Sequence, residues 1–301
     1  MGPVSEDAGP RTLRLAHRRP LAAADLLAFL AARAVRGVEA GVRGPDGALV
    51  GYRRTLALPH APATVTLVPA DGHVLGTLRG DARDADEAEA RVRRLLDLDA
   101  DPAAVDAHLG RDPLLAPLVA ARPGLRVPGA VDGFEVAVRA VVGQQVSVAG
   151  AITTIGRLTA ERGTPLATPD GELTHLFPSA AQVAAADPDL LPMPRARGRA
   201  LVGLARAVAD GEIALDAGAD RDRTRAALLA RPGIGPWTVE DIALRAFGDP
   251  DAFPATDLGV RRTLTRLAGP DAARPAAVAA RAERWRPWRA YATLHLWTAT
   301  P

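Results

Sequence analysis

The chain has 301 residues, 48% of them hydrophobic and 24% charged, with a formal net charge of +2, enough chain for two domains and a large core. It has no cysteine, which excludes disulfides, thiolate zinc sites and iron–sulfur clusters. Every one of its 37 basic residues is arginine, so Walker-type ATP binding, pyridoxal phosphate chemistry and any lysine Schiff base are excluded too.

The six histidines are scattered, with no pair at helical ligand spacing, so no metal site is expected. The pI near 9.8 reflects the high pKa of arginine rather than a large excess of charge. A nucleic-acid partner is permitted but not demanded by the global charge. The arginine clusters "RARGR" at 195–199 and "RAERWRPWR" at 281–289 fit either a phosphate-facing surface or solvated helix ends. No run of eighteen apolar residues occurs, and "MGPVSEDAGPRTLRLAHRR" lacks a signal-peptide core, so a cytoplasmic protein without membrane contact is expected.

Residues 1–10 read as disordered. "LRLAHR" then alternates like a strand, and "PLAAADLLAFLAARAV" reads as a helix opened by proline. Three strand-like runs follow, in "GALVGYRRTLAL", "ATVTLVP" and "HVLGTLRG", separated by Gly/Pro/Asp punctuation. "DADEAEARVRRLLDL" closes the unit with acids early and arginines late, as the helix dipole prefers. This order predicts an α+β domain over 11–108, an antiparallel sheet with helices on one face.

From 109 to 301 every periodic run is helical, including "FEVAVRAVVGQQVSVAGAITTIGRLTAERG", "GRALVGLARAVADGE" and "WRAYATLHLWTA". An all-α region is expected there.

Within it, "ALLARPGIGPWTVEDIALRA" places a tight turn between two helices. Pro232 and Gly233 reverse the chain, Ile234 plugs the gap, Gly235 permits a second tight conformation, and Pro236 suits a first helical position. Backbone N–H groups left bare at the new helix start suit a phosphate. A dinucleotide-binding turn is disfavoured, since the third glycine position is Thr238 and a helix precedes the turn. A corner with no ligand and a DNA-phosphate grip that reads no sequence remain. Asp257, in "FPATDLGVRR", stands at the N-cap position of the next helix, where it serves as a cap, as a reactive carboxylate, or as both.

The hairpin "LARPGIGPWT" (about 225–247), followed some twenty residues later by "PATD", resembles the helix–hairpin–helix DNA glycosylases, and most closely the bacterial 3-methyladenine DNA glycosylase II (AlkA) family. Three further segments carry the likeness: "FLAARAVRGVE", "ARPGLRVPGAVDGFEVAVRAVVGQQVSVA" and "AERWRPWRAYATLHLW". The resemblance implies an N-terminal domain like half of the TATA-binding protein, then two helical subdomains around a cleft. It makes Asp257 the catalytic aspartate, Trp237 and Trp297 walls of the pocket for an extruded base, and Gly233, Ile234 and Gly235 the phosphate hairpin. Gln145 falls where the family inserts a wedge into the duplex. Two positions depart from the family: Asp241 stands in place of a pocket tyrosine, and Leu258 replaces an aromatic that follows the aspartate.

The function so implied is a monofunctional glycosylase acting as a monomer on double-stranded DNA with alkylated purines such as 3-methyladenine, in a bacterial cytoplasm at the nucleoid. No cofactor is expected beyond a monovalent cation on the hairpin carbonyls. With no lysine, strand nicking through a Schiff base is excluded, and Trp237 occupies the equivalent position. Asp241 is expected to add a second carboxylate that favours cationic or amino-bearing bases, unless it points to solvent or pairs with Arg245. Without the resemblance, the tryptophans read as core aromatics and His295 as a satisfied helix histidine. Trp285 and Trp288 read as packing a helix start, and Arg286 and Arg289 as phosphate contacts or solvated. The alternatives are a non-catalytic helix–hairpin–helix damage-binding module and a glycosylase module cut from a larger alkylation-response protein.

Overall fold

The computed structural model describes residues 9–216 and 218–299. The expectation of disorder over 1–10 therefore falls almost wholly outside the described residues. The N-terminal unit runs β1 (Arg11–Ala16), α1 (Ala23–Ala31), β2 (Glu39–Arg43), β3 (Leu49–Ala57), β4 (Pro62–Ala70), β5 (His73–Arg79) and α2 (Ala85–Leu95). The strands form one antiparallel sheet in the order β1-β5-β4-β3-β2. Ala70 pairs with His73, so Asp71 and Gly72 form a two-residue hairpin, and Gly72 at its second position adopts a φ of 74° that favours glycine. α2 buries Ala88, Val92 and Leu95, the stripe its periodicity predicts. Strand β2 was not expected: "EAGVR" is short and holds alanine and glycine, and its pairing with β3 supplies the order that composition does not.

The second part contains α3 (Pro102–Leu109), α4 (Ala116–Ala121), α5 (Gly133–Val142), α6 (Val148–Arg162), β6 (Pro165–Asp170), β7 (Leu173–His175), α7 (Ala180–Ala184) and α8 (Arg195–Ala209). It continues with α9 (Arg221–Leu229), α10 (Pro236–Arg245), α11 (Leu258–Ala268), α12 (Pro275–Ala282) and α13 (Arg289–Thr298). The expected boundary after residue 108 cuts through α3, which is a capped helix in its own right: the Asp101 carboxylate accepts from the Ala104 amide and Pro102 opens the first turn. Nor is the region after 109 free of strands. β6 and β7 form a small antiparallel hairpin held on the N-terminal sheet by tertiary bonds. Arg53 pairs with Asp170 at 2.6 Å, Thr64 donates to Asp170 at 2.8 Å, and Thr55 donates to the His175 carbonyl at 2.9 Å. "PLATPD" has no alternation of its own, so this strand is invisible to periodicity.

One apolar core runs continuously from the sheet into the helices. Across it, α5 is joined to the sheet by a buried ion network. Arg54 pairs with Glu135 at 2.6 Å and Glu39 at 3.1 Å, while Arg139 pairs with Glu39 at 2.6 Å and Glu135 at 2.7 Å. Tyr52 donates its hydroxyl to Glu39. Burial alone would raise the Glu135 pKa, but Arg54 and Arg139 pull it down to about 2. Each charge is thus compensated, the condition on which a buried ion pair is tolerable. The network fixes β2 and β3 of the sheet against α5.

Candidate active site

The hairpin follows from local chemistry. α9 is capped by Asp220, which accepts from the Asp222 and Arg223 amides, and it gives way at Ala230 to the turn. Gly233 has φ +81°, and a Cβ there would lie 2.7 Å from the Ala200 Cβ on α8, so glycine is required by both backbone and packing. Ile234 is buried between the helices as expected, 5% exposed. Gly235 differs from expectation. Its φ of −98° and ψ of 173° are ordinary extended backbone, open to any residue, and a Cβ there would meet nothing within 4 Å. The missing side chain leaves the start of α10 clear, and no side chain caps that start. Its first amide groups are free for an anion.

Beside the hairpin lies the α5–α6 loop. Gln145 is exposed and has φ +56°, uncommon for a non-glycine residue and typical of functional turns. Its neighbour Gln144 is anchored: the side-chain amide donates to the Gly233 carbonyl and to Thr238 Oγ1, both at 2.9 Å. Arg197 in turn donates to the Gln144 carbonyl at 2.6 Å. The loop that presents Gln145 is thus tied to the hairpin and to α10, with one arginine of the 195–199 cluster holding it. Another member of that cluster, Arg199, pairs with Asp189 at 3.3 Å.

Asp257 is the N-cap of α11 and also the centre of the site. Oδ1 accepts from the Val260 amide at 2.9 Å and from the Trp297 indole at 2.8 Å, while Oδ2 accepts from the Trp237 indole at 2.9 Å. The two tryptophans, expected as pocket walls, therefore also orient the carboxylate. Oδ1 has two donors and Oδ2 only one, so Oδ2 keeps the spare lone pair. Gly259 fits closely beneath: a Cβ would lie 3.0 Å from Trp297 Cδ1 and 3.1 Å from Asp257 Oδ1.

Sequence reasoning missed Gly259, and it also missed Phe29 on α1. The Phe29 ring stacks with Trp297 at a centroid distance of 6.5 Å and an interplanar angle of 16°. Arg33 lies 3.7 Å over the Phe29 ring and Arg245 lies 5.4 Å from its centroid. Burial, together with repulsion from Arg245, brings the Arg33 pKa down to about 10. Phe29 sits inside the quoted "FLAARAVRGVE", but an aromatic on an apolar helix face gives no sign that it leaves its own domain. Leu258, the residue after Asp257, is 60% exposed.

Asp241 does neither of the ordinary things open to it. It is 9% exposed, so it does not point to solvent, and no ion pair with Arg245 or any other group forms among the described residues. Burial raises its pKa, opposed by Arg245 and Arg33 and reinforced by the Asp257 charge.

Other expectations resolve plainly. Trp285 is fully buried, donates to Asp112 at 3.0 Å and meets Phe253 edge-on, and Trp288 packs edge-on against Tyr291. Arg286 and Arg289 are engaged with Asp251 and Glu283, so neither is free for a phosphate. His295 is not satisfied. It is fully buried, and neither ring nitrogen has a partner among the described residues. Burial and the nearby Arg122 bring its pKa down to about 4, so it stays neutral. Among the described residues no group of three or more His, Cys, Asp or Glu could hold a metal, and no helix is long and apolar enough to cross a membrane.

Comparison with known proteins places this geometry. The AlkA N-terminal domain model matches residues 12–132, and the model of the HhH-GPD superfamily base excision DNA repair protein matches residues 138–289. The probable bifunctional transcriptional activator/DNA repair enzyme AlkA of Mycobacterium tuberculosis (strain ATCC 25618 / H37Rv) is 51% identical over 296 residues, 98% of this chain and 58% of that protein. The chain thus spans little more than half the length of that relative. DNA-3-methyladenine glycosylase 2 of Escherichia coli (strain K12) is 38% identical over 278 residues, 90% of this chain and 92% of its own. The solved structure of 3-methyladenine DNA-glycosylase from Archaeoglobus fulgidus superposes with a TM-score of 0.80 at 20% identity, over 96% of this chain and 97% of the other. That likeness speaks for the fold.

Proposed function

Because the chain belongs to the HhH-GPD superfamily of base excision DNA repair proteins, we propose that it is a monofunctional DNA glycosylase. It extrudes an alkylated purine such as 3-methyladenine from double-stranded DNA and hydrolyses the bond to its sugar. The observation that carries this reading is Asp257, held by two indole N–H groups and a helix amide with one oxygen left unsaturated. A helix cap needs one such bond, not three.

Chemistry on a duplex base requires its extrusion, which costs a few kcal/mol and least at a damaged pair. The α10 start and the hairpin hold a phosphate, and Gln145 fills the space the base leaves. Alkylation at N3 or N7 makes the base a cation and a good leaving group. The C1′–N9 bond breaks with its electron pair passing to the base, which becomes neutral. The sugar is left as an oxocarbenium-like cation facing Asp257. At ~4 Å and an effective dielectric of about 20 that attraction is ~4 kcal/mol, on the order of 10³-fold in rate. Water then adds to C1′ and gives its proton to Oδ2. The aromatic walls of Trp237, Trp297 and Phe29 hold the cationic base by stacking and cation–π attraction, roughly 1–2 kcal/mol each when desolvated.

With no lysine in the chain, the abasic product is released unbroken. A monovalent cation, if one sits on the hairpin, would use carbonyls beside that of Gly233, which already accepts from Gln144. On this reading its partner is double-stranded DNA, and the chain acts as a monomer in the cytoplasm, at the nucleoid.

The test is base release from methylated duplex DNA by the wild type and Asp257→Asn, with strand scission read before and after alkali. Release that falls on the order of 10³-fold in the variant, with breaks only after alkali, is the expected result. Tight binding without release by the wild type would instead support the non-catalytic damage-binding module.

A further inference from the structure

Asp241 is a largely buried carboxyl, 9% exposed, that forms no hydrogen bond or ion pair among the described residues, and its oxygens keep a small solvent contact. Such a group is costly, and cores avoid it unless something uses it. Its two nearest cations are committed elsewhere. Arg245 donates to the Pro128 carbonyl at 3.1 Å, and Arg33 lies over the Phe29 ring and donates to the Phe29 carbonyl at 3.4 Å. Asp241 stands four residues after Trp237 on α10, so both project from one helix face. Trp237 binds Asp257, which puts Asp241 one helical turn from the side chain that holds the reactive carboxylate. The orphan carboxyl therefore belongs to the cleft that holds the reacting base. Resting on the reading of that cleft as a base pocket, we infer that Asp241 is a specificity-determining residue: its carboxylate accepts a hydrogen bond from an exocyclic amino group of the extruded purine. The pocket then favours alkylated adenine and guanine over purines whose amino group is absent or locked in a ring.

An alkylated, cationic purine brings both things Asp241 lacks in the free protein, an N–H donor and a positive charge. A purine carrying only a carbonyl at that edge brings neither, and it leaves the carboxyl buried and unpaired. Sites built around a buried hydrogen-bonding group reject analogues that cannot satisfy it far more strongly than apolar pockets reject a change of size. A bond to a charged group corresponds to roughly 10- to 100-fold.

The experiment compares the wild type, Asp241→Asn and Asp241→Leu in single-turnover release of 3-methyladenine, hypoxanthine and 1,N6-ethenoadenine from duplex DNA. In parallel, the Tm of each protein is measured with free adenine or free hypoxanthine, which reports base recognition without catalysis. The wild type is expected to release 3-methyladenine preferentially, and the ratio of that rate to release of hypoxanthine or 1,N6-ethenoadenine falls about 10- to 100-fold in Asp241→Leu. Asp241→Leu is expected to melt higher than the wild type, because a buried polar group without a partner is gone. Free adenine, not hypoxanthine, should raise the Tm of the wild type alone. An unchanged ratio in release and in Tm overturns the inference even where release itself is intact, and a lowered Tm with an unchanged ratio marks a structural carboxylate and overturns it too. If the wild type releases no base yet shows the adenine-selective Tm shift, this inference stands and the glycosylase reading falls. If neither appears, both fall.

Discussion

Two glycines two residues apart in the hairpin should respond to the same substitution in opposite ways. At Gly233, alanine meets a left-handed φ of +81° and a Cβ 2.7 Å from the Ala200 Cβ. The conformational cost is ~1–2 kcal/mol, and pressing α8 away adds ~1–3 kcal/mol of overpacking. Together these give about 2–5 kcal/mol, or roughly 3–8 °C in Tm for a chain of this size. At Gly235 neither term exists, because the backbone is extended and nothing lies within 4 Å of a Cβ. The substitution there restricts the unfolded chain and should leave Tm unchanged or raised by about 1–2 °C. What Gly235→Ala does obstruct is the approach to the uncapped start of α10. Losing a hydrogen bond to a phosphate is worth roughly 1.5–3 kcal/mol, so DNA affinity should fall about 10- to 100-fold. Thermal melts and fluorescence-anisotropy titrations on an undamaged duplex read both quantities. Wild-type affinity in a stably folded Gly235→Ala protein would refute the phosphate role of the hairpin, and a wild-type Tm for Gly233→Ala would refute the packing argument.

Two more predictions concern the site's supports. Gly259→Ala pushes a methyl group into the contact between Trp297 and Asp257. Single-turnover base release should fall about 10-fold, since a misplacement of ~1 Å can cost ~100-fold, while circular dichroism stays that of the wild type. Undiminished release would show that the Trp297 bond does not position the carboxylate. Asp97, at φ 51° and bonded by Tyr291 and the Val127 amide, has its pKa raised to about 6 chiefly by burial. Its stabilising contribution is complete below the unfolded value near 4 and is lost as pH rises through 6. Asp97→Asn removes that loss, so Tm at pH 7.5 should rise by roughly 3–5 °C, with little change at pH 4. Equal shifts at the two pH values would rule out titration as the cause.

Features whose physics is local were readable in the sequence. Pro-Gly-Ile-Gly-Pro dictates a helix, a turn and a helix within a dozen residues, and Asp257 three residues before an amide it can accept from is a cap by spacing alone. The amphipathic stripe of α2 and the Asp-Gly hairpin between β4 and β5 belong to the same class. Where local preference was weak or misleading, the reading failed. Strand β2 and the β6–β7 hairpin take their order from partners far along the chain, and Gly235 was assigned a conformation that only its neighbours' positions could reveal.

The composition by itself settled the larger exclusions, since an absent lysine or cysteine is absent from every fold. The family resemblance, not the composition, singled out Asp257, Trp237 and Trp297, without saying how they meet. That the two indoles, 20 and 40 residues from Asp257, grip separate oxygens of one carboxylate was decided by the packing of α10, α11 and α13. Likewise Phe29 reaches the site from another domain, and Asp241 is left without a partner because both arginines near it are occupied. A hydrogen bond between distant residues depends on three-dimensional approach, and no periodicity along the chain encodes it.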